Sequence, residues 1–265
     1  MTIAALVKNY LAHLYRMQRK SISQTSSHAN RLVSNQIQVQ QFDPLDYAKQ
    51  RHDAGAKNAT INREMEILKC AATYWKRLFN EDPGLRYFTS LPENNVRQGF
   101  FTPQEFDRLI AALPPHLALF TRFAYITGWR KGEIANLQWE DLDDPGLIRI
   151  HDSKNGEGRV IPIAGPLKDL IHDTMWGRED CPWVFHDPEH NKIRDFRKAW
   201  TTACKKAGLE GRLFHDLRRT AIRNMIEAQI DREIAKKITG HKTDSMFTRY
   251  QIVDKRQMQT ALEKL

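Results

Sequence analysis

Between Asp82 and Gly99 the chain runs DPGLRYFTSLPENNVRQG, and this stretch limits the fold more than any other. Pro83, Gly84, Pro92, Asn94, Asn95 and Gly99 interrupt every hydrophobic period there, because proline has no amide donor while glycine and asparagine favour turn conformations. A length of 265 residues suits one large domain or two modest ones. The break decides for two: residues 1–90, a linker over 91–99, and residues 100–265.

Both flanks carry helical patterns. Before the break, Ile61, Met65, Leu68, Ala72, Trp75 and Phe79 recur at helix spacing and would line one buried face. After it, Thr102, Pro103 and Glu105 occupy the N-cap, first-turn and N3 places of a helix, with Phe101 and Phe106 set for a hydrophobic staple. Phe106, Leu109, Ile110 and Leu113 continue as its core face. A second helix is expected over about Leu117 to Ile126, ending at Gly128, where a residue without Cβ takes positive φ.

The only β signal is LIRIH (147–151) and RVIPI (159–163), joined through DSKNGEG with its Asn155-Gly156 turn pair. From Pro166 the helical pattern returns, with Ile193, Phe196, Trp200 and Cys204 on one face and Gly208 as the stop. The expected fold class is therefore mainly α with a small antiparallel β-sheet. Trp75, Trp129, Trp139 and Trp200 are expected as core or packing residues.

Composition bears on the partner. Lys and Arg number 41 against 32 Asp and Glu, a formal charge of +9, which favours a polyanion, most commonly nucleic acid. Cys70, Cys181 and Cys204 show no paired spacing; we expect neither a disulfide framework nor a zinc site, and a reducing, cytoplasmic location. Lys8, His13, Arg16, Arg19 and Lys20 break the apolar N-terminus before it reaches export length. No stretch is long and apolar enough for a membrane span.

Three separated blocks carry the chemistry. TGWRKGEIANLQWEDLD holds Arg130 and Glu133; FHDLRRTA holds His215 and Arg218 three apart, so on a helix both project from one face; TGHKTDSMFTRY holds His241 and Tyr250. In this order and spacing they resemble the tyrosine recombinases, the phage integrase family, whose Arg, His-x-x-Arg, Gly-His and Tyr motifs they match. The resemblance covers nearly the whole chain. It implies a lysine on the hairpin between the first two blocks, and Lys154 stands there.

The resemblance implies an N-terminal helical bundle that binds core DNA and a C-terminal catalytic domain with a tail helix. The reaction would be site-specific cutting and rejoining of DNA through a 3′-phosphotyrosyl link to Tyr250. Forked guanidinium donors fit the charge that gathers on an attacked phosphodiester, so Arg130 and Arg218 are the expected clamps. Tyrosine titrates near about 10 and needs a positive field and a proton acceptor, for which His215 is the candidate. Lys154 would protonate the leaving 5′-oxygen, His241 would donate to a non-bridging oxygen, and Glu133 would orient Arg130.

Cationic side chains take the place of metal ions in such a scheme, so no metal or other cofactor is expected. The expected partners are double-stranded DNA recombination sites and further copies of the chain, four on two duplexes; accessory DNA-bending or directionality proteins are candidates, and no membrane is. Arg19, Lys20, Lys57, Arg63 and Lys69 are candidate phosphate contacts. Two departures from the family are Thr239, where leucine is common before Gly-His, and Gln251-Ile252, where a histidine is common. Residues 1–90 suffice only for the core-binding domain, without the extra arm-binding domain of many phage integrases. A type IB topoisomerase and a non-catalytic DNA-binding relative remain as alternatives.

Overall fold

A computed structural model describes residues 1–19, 21–87, 90–93, 99–142, 146–150, 158–174, 181–241 and 262–263. Lys154, Tyr250, the Asn155-Gly156 turn, most of the expected linker and nearly all of the tail lie outside the described residues. Two compact units result, Met1–Asn95 and Val96–Leu265.

The first unit is helical among its described residues: α1 (Ile3–Arg16), α2 (Ile22–Ala29), α3 (Pro44–Asp53) and α4 (Asn58–Phe79). Ile3, Leu6 and Val7 of α1 meet Met65, Leu68 and Ala71 of α4 in one apolar cluster. Asp43 starts α3 by accepting from the Leu45 and Asp46 amides, with Pro44 at the first turn where no amide is missed. Buried Glu64 then ties α3 to α4: Tyr47 donates to it at 2.9 Å, and Arg51 grips it with Nε and Nη2. The Phe79 end of the expected stripe is a departure. Phe79 is exposed and lies against Trp75, ring centroids 4.1 Å apart, because the helix runs out past the core.

The second unit contains α5 (Pro103–Ala112), α6 (Pro115–Thr127), α7 (Lys131–Ala135), β1 (Leu147–Ile150), β2 (Arg159–Pro162), α8 (Pro166–Thr174), α9 (Arg197–Lys206), α10 (Asp216–Glu227) and α11 (Arg232–Thr239). The strands pair antiparallel, Ile148 opposite Ile161. Thr102 and Glu105 form the capping box of α5, and Phe101 and Phe106 are both buried beneath it. Thr102 stabilises the helix by about 1 kcal/mol, the usual worth of such a cap.

Helix α6 is the central element, touching α5, α7, α8 and α10. Its Phe120 sits among Phe185, Phe196 and Phe214, with centroids 5.4–5.8 Å away. The helix ends on Gly128 at φ +65. A Cβ there would press on Ala221 and Thr239 at 3.1 Å, so glycine is required by both backbone and space.

The helix expected through Ile193 begins later. Asp195 accepts from the Arg197 amide at 3.0 Å and α9 starts at Arg197, while Ile193 and Phe196 reach the core from irregular chain. Trp129, Trp139 and Trp200 are buried, and Trp75 packs at the edge of the first core. No helix among the described residues is long and apolar enough to cross a membrane.

Candidate active site

Three helix ends of the second unit converge. Gly128 closes α6, His215 opens α10, and Gly240 closes α11 at φ +70. Trp129 is drawn into the same place, its indole nitrogen donating to the Ile238 carbonyl at 2.8 Å. Arg130 follows directly, so its position is fixed by the turn that ends α6.

Arg218 lies at the centre and is 3% exposed. Its Nη1 donates to the Gly128 carbonyl at 2.6 Å and the Thr239 carbonyl at 2.5 Å. Those carbonyls terminate two helices, where the backbone dipole is negative and a cation is favoured. The other edge of the guanidinium, Nε and Nη2, faces the His241 ring at 2.8–3.2 Å.

His241 is held on its second side. The Thr239 hydroxyl gives its proton to the Ala235 carbonyl at 2.7 Å, so it receives one from His241 Nδ1, also at 2.7 Å. Nε2 then carries the lone pair that accepts from Arg218. Burial first, and then the charges of Arg218 and Arg130, drive the His241 pKa down to about 3.

His215 stands at the N-cap of α10 in helical conformation, one residue before the helix proper, so it and Arg218 share a face although only Arg218 is inside the helix. Its residue surface is open to solvent. The protein packed around it, then Arg218, still hold its pKa below the ordinary imidazole value, with Arg130 and Arg219 adding to the effect. A neutral imidazole near neutral pH is the state that can accept a proton.

Glu133 bridges two cations. Its carboxylate accepts from Arg130 Nη1 at 2.8 Å and the Arg130 amide at 3.0 Å, and from Arg159 Nη2 at 2.8 Å. Burial would raise its pKa, but the Arg159 hydrogen bond and charge, with the Arg130 contacts, hold it below the ordinary carboxylate range. Arg159 also stacks over Trp129, 4.5 Å from the ring centroid, and fills the space a Cβ at Gly240 would need.

Arg159 was absent from the sequence-based set. Its signal was strand parity: at period 2 it shares a face with Ile161, which is 4% exposed, while Val160 between them is 50% exposed. An inward-facing arginine in a short strand needs a buried partner. The structure thus brings Arg130, Glu133, Arg159, His215, Arg218 and His241 into one electrostatic neighbourhood, while Lys154 and Tyr250 lie outside the described residues.

The phage integrase family model matches residues 99–257, well over half of the chain. The chain belongs to the phage integrase family. As a member of it, the chain is a tyrosine recombinase, a site-specific enzyme that cleaves and rejoins DNA. It is 27% identical over 271 residues to the integrase of Salmonella phage P22, covering 91% of this chain and 68% of that one. It is 28% identical over 232 residues to the tyrosine recombinase XerA of Pyrococcus furiosus, covering 84% and 79%. In fold it matches a lambda integrase dimer bound to a COC′ core site at TM-score 0.77 and 21% identity, over 96% of this chain and 98% of that one. A lambda integrase tetramer bound to a Holliday junction matches equally, at TM-score 0.77 and 22% identity over 92% and 79%. Relatives named as integrases and recombinases disfavour the relaxing-enzyme and regulator alternatives.

Outside this integrase site, Cys181, His186 and His190 bring ligand atoms within 4.8 Å of one another, a grouping that the spacing of the three cysteines does not reveal.

The depressed His241 pKa predicts an acid-side loss of stability. Unfolded, the ring titrates near about 6.5; folded, near about 3. The unfolded chain therefore binds the extra proton as pH falls between those values, and stability drops by at most about 1.4 kcal/mol per pH unit from this group. Denaturant titrations from pH 7 to pH 4 are expected to show a shallower decline for His241→Asn than for the unsubstituted chain; equal slopes would rule out this cause.

Proposed function

We propose that the chain cleaves one strand of a duplex recombination site by in-line attack of the Tyr250 hydroxyl oxygen on phosphorus. The P–O bond to the 5′-oxygen breaks as the 3′-phosphotyrosyl bond forms. His215 takes the tyrosine proton, and Lys154 gives one to the departing 5′-oxygen, leaving a free 5′-hydroxyl. Running the same steps backwards with a 5′-hydroxyl from another duplex rejoins the strand, so the bond energy is kept and no nucleotide cofactor is required.

The observation that carries this reading is the buried Arg218, anchored through Nη1 to two helix-terminal carbonyls with its Nε–Nη2 edge turned toward His241. A guanidinium held in advance meets developing phosphate charge without the cost of reorganisation. Arg130 is the second clamp, oriented by Glu133, while Arg159 is a positioning residue that holds Glu133 from the opposite side. His241 would donate to a non-bridging oxygen from Nε2 in its other tautomer, with Nδ1 then accepting from the Thr239 hydroxyl.

For the grip on DNA, the first unit offers a cleft of about 500 Å³ lined by Tyr10, His13, Arg19, Lys69, Tyr74 and Arg77. Such a basic, aromatic-edged face suits phosphate contacts, which supply salt-dependent affinity without reading sequence, and we assign this unit the core-binding role. The working assembly is four copies on two duplexes, as in the lambda integrase tetramer, with the tail packed on a neighbouring copy.

Met258, Ala261, Leu262 and Leu265 recur at helix spacing, and this apolar stripe motivates the test. Incubated with a plasmid library, the full chain is expected to yield sequenced junctions joining two duplexes at one short core. Deleting residues 254–265 is expected to preserve half-site binding and eliminate junctions, because a head-to-tail contact between copies would be lost. Junctions formed equally well by the truncated chain would sink the tail assignment. Relaxed supercoils without any junctions would sink the recombinase assembly as a whole.

A further inference from the structure

Beside the segment that follows α7, residues 181–192 lie against the core of the second unit through Val184 and Phe185. Trp139 donates its amide to the Pro182 carbonyl and Val184 donates to the Leu137 carbonyl, both at 3.0 Å. His186 pairs with Lys192 across a tight turn. Asp187 Oδ1 holds that turn, accepting from the amides of Glu189 at 3.0 Å and Asn191 at 2.8 Å. His190 is thereby kept at φ +62, a conformation that costs a residue with Cβ and needs the surroundings to impose it.

The result places the His190 ring against the His186 ring, centroids 5.0 Å apart, with the Cys181 thiol beside them. One sulfur and two imidazole nitrogens lie within 4.8 Å of one another. The grouping belongs neither to the main apolar cluster of the unit nor to the catalytic set, and the Cys181 thiol donates to the Trp183 carbonyl at 3.5 Å. His186 Nδ1 meets the Asp187 carbonyl at 2.9 Å, so Nδ1 carries the proton and Nε2 the lone pair. A backbone carbonyl that fixes the tautomer and leaves the other nitrogen bare is the usual support behind a metal-bound histidine.

We propose that Cys181, His186 and His190 bind a zinc ion. Thiolate and imidazole donors suit zinc among the common divalent metals, and the two histidines, with three residues between them in the turn, fall in the spacing of zinc motifs. Tetrahedral bonds of about 2.3 Å to sulfur and about 2.0–2.1 Å to nitrogen need ligand atoms about 3.3 to 3.6 Å apart. The exposed His190 side chain closes that difference by moving roughly an ångström. Water takes the fourth position. The ion would act as a clip, joining the start of the segment to its turn and so steadying the partner of Leu137–Trp139, the chain just beyond Arg130 and Glu133. It takes no part in strand cleavage.

The test uses the full chain without a histidine tag and cobalt(II) as the probe. One equivalent of cobalt is expected to give tetrahedral visible bands and a near-ultraviolet thiolate-to-metal band, both displaced by zinc. Cys181→Ser is expected to remove the thiolate band, and to weaken binding at least about tenfold, the lower end of the loss seen when even a ligand's supporting partner is removed. His190→Asn is the variant least able to disturb folding, since asparagine tolerates positive φ; it is expected to weaken cobalt binding similarly with an unchanged circular dichroism spectrum. Absence of the thiolate band at one equivalent overturns the proposal. So does tight binding that both variants retain, which would locate the metal on other histidines. Because the readout is metal binding by the DNA-free chain, its failure leaves the recombinase reading untouched.

Discussion

Tyr250→Phe is expected to abolish the covalent protein–DNA complex that the unsubstituted chain forms on a nicked half-site duplex. The nick lets the short strand beyond the cut diffuse away, so reversal is blocked and the 3′-phosphotyrosyl species accumulates. Phenylalanine keeps the ring and removes the oxygen to which the attack is assigned. Loss of a nucleophile that works as a unit with its acid and base costs on the order of 10⁶ in rate, which is beyond detection in such a gel. Binding in a mobility-shift assay is expected to persist, because the Arg and Lys contacts that hold phosphate are untouched. Covalent product from the variant, or mass spectrometry placing the DNA on another residue, would refute the assignment.

Arg218→Lys is expected to slow single-turnover cleavage by roughly a hundred- to a thousandfold, the cost of losing one preorganised donor at a developing charge. Lysine preserves the charge and loses the fork. Here the geometry adds a second effect. One guanidinium nitrogen satisfies both the Gly128 and Thr239 carbonyls, and an ammonium drawn toward them no longer presents an edge to His241. A buried carbonyl left without its donor costs about 1–3 kcal/mol, so the same variant should also unfold at lower denaturant. Arg130→Lys separates the two effects. Its side chain is 28% exposed and donates to the Glu133 carboxylate in the first turn of α7 rather than to buried helix-terminal carbonyls, so cleavage should fall comparably with a smaller loss of stability. Near-normal cleavage by Arg218→Lys would move the phosphate away from this cluster.

Local signals made much of the fold legible. The Thr102–Glu105 box and the positive-φ Gly128 are set by atoms within a few residues, and both occur as expected; Phe101 and Phe106, set for a staple, are both buried. The strands also fall within LIRIH and RVIPI, the two runs flanking the turn signal. What failed depended on remote partners or on punctuation that mimics a period. Ile193 matched a helical face only because extended chain can also deliver a side chain to the core every few residues; Asp195, which accepts from the Arg197 amide, carried the true start.

At the site, Arg130, Glu133, His215, Arg218 and His241 could be singled out from motif order, but not the reason they sit together. That reason is the meeting of the ends of α6 and α11 around Arg218. Arg159 was hidden because its partner Glu133 lies 26 residues away. The Cys181, His186 and His190 group was hidden because a cysteine census counts pairs and overlooks histidines.

The anchoring of Arg218 also sets an order of events during synthesis. Its carbonyl partners lie 90 residues before it and 21 after it; Trp129 reaches 109 residues forward to Ile238, and Phe101 reaches 119 forward to the Thr220 hydroxyl. Contacts of such sequence separation close late, after the local helices have formed. A ribosome-bound chain can therefore fold its first unit while the cluster around Arg218 is still open. The cluster closes only once residue 241 has emerged, so a chain halted before that point carries a finished first unit and an unassembled Arg218 site.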